Sequence, residues 1–261
     1  VNREREAAER AARAAGEVLL RHYRPTGQER VEVKGLPRDL VTAADKEAEA
    51  VVLGILRKEF PKDAFVAEET EPAPVRGGRV WVIDPLDGTV NFAHGIPIFS
   101  VSIGFFEDGA PRAGVVHAPC LRETFAAAEG EGTTLNGERV RVSKQTDLGS
   151  SLLCTGFAYQ RNQVKENNLD NFARMALGSR GVRRLGSAAL DLAFVASGRY
   201  DGYWELWLSP WDIAAGMLLV REAGGKVTQL GGDPDVLYAN TIVATNGRIH
   251  DALAGQLTGI E

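Results

Sequence analysis

The chain has 261 residues and a mass of 28.1 kDa, is 44% hydrophobic and 25% charged, and carries a net charge of -5 with a pI of about 5.6. That composition supports one large or two modest globular domains and excludes a disordered chain. The acidic balance argues against nucleic acid as the principal ligand, and no apolar run reaches the length of a membrane span. Cys120 and Cys154 lack metal-ligand spacing, which predicts reduced, buried thiols in a cytoplasmic protein, and the charged, Ala-rich N-terminus carries no secretory core.

Arg3 to Tyr23 reads as an amphipathic helix with Ala11, Ala15, Val18, Leu19 and Tyr23 inward, ended by Pro25 and Gly27. Arg30 to Lys34 alternates like a strand, and a second helix starts at Thr42 or Asp45 and runs to Pro61. Phe65 to Ala67 and Val80 to Ile83 read as strands that empty into loops. Phe99 to Phe106, Arg112 to Ala118, Glu123 to Ala128 and a Thr133 to Val142 hairpin turning on Asn136-Gly137 follow as antiparallel strands.

A polar break near Ser143 to Ser150 divides the chain into an α+β part, 1–145, and an α/β part, 146–261. In the second part strands at Leu152 to Cys154, Val182 to Leu185 and Gly202 to Leu206 alternate with helices at Asn167 to Leu177, Ser187 to Ala196 and Asp212 to Glu222. Gly224-Gly225, strands at Lys226 to Gln229 and Ile242 to Ala244, and a helix over Ile249 to Leu257 complete it. No internal repeat is present.

The stretch Trp81-Val82-Ile83-Asp84-Pro85-Leu86-Asp87-Gly88-Thr89 places Asp84 and Asp87 three residues apart after an apolar run. Pro85 is expected to end the strand and Gly88 to free the backbone for a turn, so both carboxylates leave the strand end together. Carboxylates, a backbone carbonyl and water are the ligands that Mg²⁺ prefers, with substrate phosphate in the remaining positions. The same string also suits ordinary turn chemistry. Glu68 and Glu69 lie just before it, and Asp212 opens a helical segment far downstream, where a plain N-cap is the competing account.

The set Asp39 to Asp45, Ala67-Glu68-Glu69-Thr70, Trp81 to Phe92, Leu185-Gly186-Ser187-Ala188-Ala189-Leu190-Asp191, and Trp211 to Gly225 resembles the inositol monophosphatase family, in its order and over nearly the whole chain. The Arg183 to Ala193 segment is most similar to bacterial members. The resemblance implies a layered αβαβα sandwich of the sugar phosphatase type, with the site at the seam between the two parts. Glu68, Asp84, Asp87, Asp212 and the carbonyl of Leu86 would hold two to three Mg²⁺ ions. Asp45 and Thr89 would orient the attacking water, with Glu68 beside them; a helix cap is the other reading of Thr89.

Phosphate would meet the N–H groups of Gly88 and Thr89, with Asp87 and Asp212 nearby. Glu205 and Ala188 would contact the alcohol, although a Glu flanked by aromatics also suits an edge strand. Lys34 would balance the carboxylates or sit solvated at the surface, and Glu69 would support the ligands from behind. Arg183 and Arg184 face either the site or a subunit interface. Phe157-Ala158-Tyr159 falls where members differ.

The activity so implied is hydrolysis of inositol monophosphate to inositol and inorganic phosphate by a cytoplasmic, lithium-sensitive homodimer. Fructose 1,6-bisphosphate, histidinol phosphate and a 3'-phosphoadenosine nucleotide are alternative substrates. A role as a partner of the transcription machinery is a further alternative.

Overall fold

The computed structural model describes residues 1–26, 31–33, 40–70, 74 and 77–259. Helix α1 (Asn2–His22) buries an alanine stripe, Ala7, Ala8, Ala11, Ala12 and Ala15, which lets it lie close against its neighbours. A short β1 (Val31–Val33) pairs antiparallel with β2 (Leu40–Thr42), which runs directly into α2 (Ala43–Glu59). Thr42 caps α2, accepting from the N–H groups of Ala44 and Asp45.

A seven-stranded sheet follows, in spatial order β3-β4-β5-β6-β7-β8-β9. Its strands are β3 (Ala64–Ala67), β4 (Arg79–Asp87), β5 (Ser100–Glu107), β6 (Ala110–Ala118), β7 (Glu123–Ala128), β8 (Gly132–Leu135) and β9 (Glu138–Val140). β3 and β4 are parallel and the remaining pairs antiparallel. The β8–β9 turn is Asn136-Gly137, both with positive φ, as a two-residue hairpin requires. A short α3 (Thr89–Ala93) follows β4.

The second sheet, β11-β10-β12-β14-β13, comprises β10 (Leu152–Thr155), β11 (Gly181–Arg183), β12 (Gly202–Leu206), β13 (Lys226–Thr228) and β14 (Thr241–Thr245). It is mixed: β10 runs parallel to β11 and β12, whereas β14 is antiparallel to β12 and β13. Its helices are α4 (Leu169–Gly178), α5 (Ala188–Ala196), α6 (Pro210–Glu222) and α7 (His250–Ala254).

Strand alternation sorts the side chains into layers. Trp81, Ile83, Val101, Ile103 and Phe105 pack under α1 and α2, while Val80, Val82, Phe106 and Val116 face α5 and α6. In the second sheet Cys154, Tyr203, Ile242 and Ala244 face α5 and α6 from the other side, and Leu153, Trp204 and Val243 pack beneath Met175 of α4 and Ile249 and Leu253 beside α7. The order is helices, sheet, helices, sheet, helices. This is the αβαβα sandwich expected, with α5 and α6 as its middle layer.

Three local expectations are corrected. Pro85 does not end β4, which continues to Asp87. The terminal helix is shorter than expected, closing at Ala254. Cys154 is buried, but Cys120 is only half-buried in the turn after β6. No helix among the described residues is long and apolar enough to cross a membrane.

The middle layer sits close because glycines face it. A Cβ on Gly104 of β5 would stand 2.8 Å from Ala214 Cβ, and one on Gly114 of β6 would stand 2.8 Å from the Ala215 carbonyl oxygen. Gly114→Ala is therefore expected to lower stability by about 1–3 kcal/mol through overpacking. Gly54→Ala, at an exposed position of α2 where nothing lies within 4 Å, is expected to raise it by about 0.5–1 kcal/mol. Urea denaturation midpoints of the two variants check both signs.

Candidate active site

The register of β4 against β5 is the feature that builds the site. Asp84 pairs with Ser102 but Asp87 with Ser100, so β4 spends three steps where β5 spends two. In a regular strand, residues three apart point to opposite faces. The one-residue bulge at Pro85-Leu86 brings Asp84 and Asp87 to the same cavity. Pro85, which lacks an N–H, is tolerated at such a bulge. The N–H of Leu86 donates to Asp84 Oδ1 at 2.9 Å. Gly88, at φ 101°, then turns the chain into α3. There it leaves no room for a side chain, since a Cβ would stand 3.0 Å from the Ile98 carbonyl oxygen.

The cavity has a volume of about 340 Å³ and lies at the seam between the sheets. Glu68, Asp84, Leu86, Asp87, Gly88, Thr89, Ala188, Glu205 and Asp212 all line it, so residues from positions 68 to 212 meet as expected. Arg184 lines it as well, and Arg183 does not. Asp45 is fully buried just behind, where Thr89 Oγ1 lies 3.3 Å from its Oδ1. Glu69 does not line the cavity. Its N–H donates to Glu49 Oε2 at 2.8 Å, and Thr70 Oγ1 donates to Glu49 Oε1 at 2.5 Å, so a buried glutamate on α2 ties down the segment after β3. Lys34 lies outside the described residues.

The plain-cap accounts do not hold. The N-cap of α6 is Ser209, and Asp212 stands at the third helical position, accepting from the Ser209 N–H at 2.7 Å. Gly88, and not Thr89, is the N-cap of α3. Nor is Glu205 on an edge: β12 lies between β10 and β14, and the side chain is buried.

Several contributors were invisible as individuals in the sequence. Ser187 occupies the N-cap position of α5 but caps nothing there; its hydroxyl donates to Asp87 Oδ2 at 2.6 Å. Asp87 also accepts from the N–H of Ala189 at 2.8 Å and of Ala188 at 3.2 Å, so a carboxylate from the first sheet caps a helix of the second. Asp191 of α5 lines the cavity with its Oδ1 unpartnered. Tyr203 donates to Glu205 Oε2 at 2.6 Å. A serine before an apolar helix and alternation along β12 were the available signals, and neither specifies these long-range bonds.

Electrostatically the site is a concentration of negative charge. Burial pushes the Asp84 carboxyl well above the usual carboxylate range, and Glu68, Asp87 and Asp212 add to the rise. Burial, then Asp87 and Glu68, does the same to Asp212. Asp87 is raised by burial to about 6, against the pull of its Ser187 and α5 hydrogen bonds. Glu205 is raised to about 7, again by burial, opposed by Tyr203 and Arg184.

Among the described residues that line it, Arg184 is the one permanent cation. An all-oxygen set that is this poor in positive charge suits hard divalent cations. As the side chains stand, no three His, Cys, Asp or Glu groups among the described residues close on one point. The three aspartates are instead each turned to a backbone N–H: Asp84 to Leu86, Asp87 to α5 and Asp212 to Ser209.

Residues 2–260 match the profile of the Inositol monophosphatase family. The chain is 45% identical to an inositol-1-monophosphatase of Synechocystis sp. over 97% of its own length and 88% of the relative's. It is 44% identical to the protein named Nus factor SuhB of Pseudomonas aeruginosa, over 94% and 92% of the two lengths. Its fold is similar to that of the inositol monophosphatase from Anabaena (Nostoc) sp., with a TM-score of 0.89 and 45% identity over 98% of this chain and 95% of that one. A phosphoric monoester hydrolase by these likenesses, the chain belongs to the inositol monophosphatase family.

Proposed function

We propose that the chain hydrolyses inositol monophosphate to inositol and inorganic phosphate with Mg²⁺ in the carboxylate cavity. One observation carries this reading: carboxylates brought from three separate segments into one cavity raise each other's proton affinity. Glu68, Asp84, Asp87, Asp212 and the Leu86 carbonyl would hold two to three ions. Bound there, Mg²⁺ would acidify water and neutralise charge on the phosphoryl oxygens.

The chain's own groups supply orientation. Thr89 Oγ1 has two acceptors within reach, the Leu86 carbonyl at 3.1 Å and Asp45 Oδ1 at 3.3 Å. A hydroxyl has one proton to give, so with the Leu86 carbonyl among the metal ligands Thr89 would donate to Asp45, and its oxygen would be left to accept from water. Asp45 is fixed for this by the N–H and hydroxyl of Thr42, at 2.8 and 2.6 Å on its other oxygen. Gly88 and Thr89 open α3 with N–H groups on the phosphate side. The alcohol would lie toward Glu205 and the Ala188 backbone, and Arg184 lines the same cavity. Lys34 would add positive charge to this site, and Glu69 would support Glu68 from behind.

The reading extends to a cytoplasmic homodimer with two halves, 1–145 and 146–261, and to inhibition by Li⁺. Fructose 1,6-bisphosphate is the alternative substrate, with Arg184 as the available cation for a second phosphate. The name Nus factor carried by the Pseudomonas relative supports a second reading, an additional role as a partner of the transcription machinery.

Asp87→Asn is expected to cut phosphate release from inositol 1-phosphate more than about 100-fold. Inorganic phosphate is measured at saturating Mg²⁺; an unchanged rate sinks the carboxylate metal site, and wild-type protein that releases no phosphate sinks the inositol phosphatase reading. Binding of RNA polymerase components that survives in this variant marks the second role as separate.

The raised carboxyls also set a pH dependence. Each keeps its proton to higher pH in the folded chain than in the unfolded one, so the folded state binds more protons and its stability falls as pH rises. His117 and His250, both pushed down to about 4 by burial, act oppositely, but only below the ordinary histidine value of about 6.5. Between about pH 6.5 and 8 the carboxyls therefore decide the sign, with Glu205 at about 7 and with burial pushing Asp84, Asp191 and Asp212 up in the same direction. Metal-free protein is expected to melt at lower temperature at pH 8 than at pH 6.5, and Mg²⁺ to raise the melting point more at pH 8. Thermal melts with and without Mg²⁺ check both; no magnesium shift at either pH counts against the metal site.

A further inference from the structure

Five non-glycine residues among those described have positive φ: Asp108, Arg122, Asn136, Asn168 and Trp207. Asp108, Arg122 and Asn136 occupy tight turns between strands, and Asn168 is the N-cap of α4. Polar residues, above all Asn and Asp, accept such positions. Trp207, at φ 65°, is different in kind. A bulky aromatic in the left-handed region sets its Cβ against the following carbonyl, and glycine would remove that strain.

Trp207 stands directly after β12, two residues beyond Glu205, and lines the catalytic cavity. It is held at both ends. The backbone N–H donates to the Asn240 carbonyl at 2.6 Å, and the indole Nε1 donates to the Glu166 carbonyl at 2.9 Å. The ring is thus anchored, and Trp207 forms part of the wall of the cavity that Glu205 and residues 156–160 also line. Residues kept in strained backbone conformations cluster at ligand-binding sites, because selection retains them there for what the side chain does.

We propose that Trp207 is a specificity residue that selects phosphate esters of cyclic polyols over those of acyclic ones. Such alcohols combine an apolar ring face of C–H groups, which packs on the indole, with hydroxyl groups, which donate to Glu205. An acyclic alcohol has the hydroxyls without the rigid face, and it gains less from the wall. The proposal rests on the phosphomonoesterase reading and names the substrate class of that same site.

The test compares kcat/KM for inositol 1-phosphate and glycerol 2-phosphate in the Mg²⁺-loaded enzyme. Trp207→Gly and Trp207→Asn both suit the left-handed backbone and remove the wall. Each is expected to lower the preference for the cyclic ester by about five- to tenfold through KM, with kcat for both esters within about twofold. Trp207→Phe keeps a ring but loses the bond to Glu166, and is expected to keep the preference within about twofold. An unchanged preference in the Gly and Asn variants overturns the proposal. Equal loss in the Phe variant also overturns it, since the indole then acts only as a strut for the loop at Glu166. Wild-type enzyme that hydrolyses neither ester removes the inositol monophosphate reading and the proposal with it, whereas active variants with an unaltered preference remove the proposal alone.

Discussion

Carboxylates held at the starts of helices are what the site depends on. Asp45 accepts from Thr42 at the start of α2, Asp212 from Ser209 at the start of α6, and Asp87 from Ala188 and Ala189 at the start of α5. A helix start offers unpaired N–H groups and the positive end of the backbone dipole, which is among the few uncharged environments able to hold a buried anion. Two of these helices, α5 and α6, thereby bring their N-termini to one cavity, and Asp45 of α2 lies just behind it. The bond from Asp87 to α5 has the widest consequences, because it joins a strand of one sheet to a helix packed on the other across 102 positions of chain. Ser187, donating to the same carboxylate and lying 3.2 Å from the Ser100 hydroxyl, closes that seam.

Such a seam is only as good as the packing that holds it. α6 brings Asp212 to the cavity while its other residues lie across β4, β5 and β6, over glycines 104 and 114. Gly216 does the same on the opposite side, where a Cβ would stand 2.5 Å from Leu192 of α5. Small residues on both faces draw the two helices and the first sheet together, and this closeness fixes the depth at which Asp212 enters. Burial of the carboxylates, with the proton affinity that it raises, is thus a consequence of helix–sheet distance set by residues that never touch a ligand.

Most of the elements were legible because hydrophobic periodicity and turn residues are local signals. Asn136-Gly137 fixed its hairpin, and the alanine stripe of α1 fixed its inner face. The carboxylates stood out because acidic residues after apolar strands are unusual, and the family resemblance tied them together. The bulge at Pro85-Leu86 was not legible. Proline reads as a terminator, and only pairing with β5 reveals that the strand passes through it with one residue to spare. The same holds for Ser187 and Glu49, whose partners lie 100 and about 20 positions away, and for Trp207, whose backbone conformation has no glycine or asparagine to announce it.

The two ends of the cavity are built by different rules. At the end proposed for phosphate the groups are carboxylates and backbone, bound to helix starts and a bulge, so a change in one displaces the others. At the alcohol end Glu205 projects from the centre of the second sheet, with Tyr203 two residues before it on the same face and bonded to it. Gly156 on the neighbouring segment clears its path, since a Cβ there would stand 2.0 Å from Glu205 Oε2. Beyond that, the lining comes from residues on irregular segments, Phe157, Tyr159 and Trp207. On the proposed reading, chemistry common to phosphate esters would reside on the helix starts and the bulge, and discrimination among alcohols on the irregular segments.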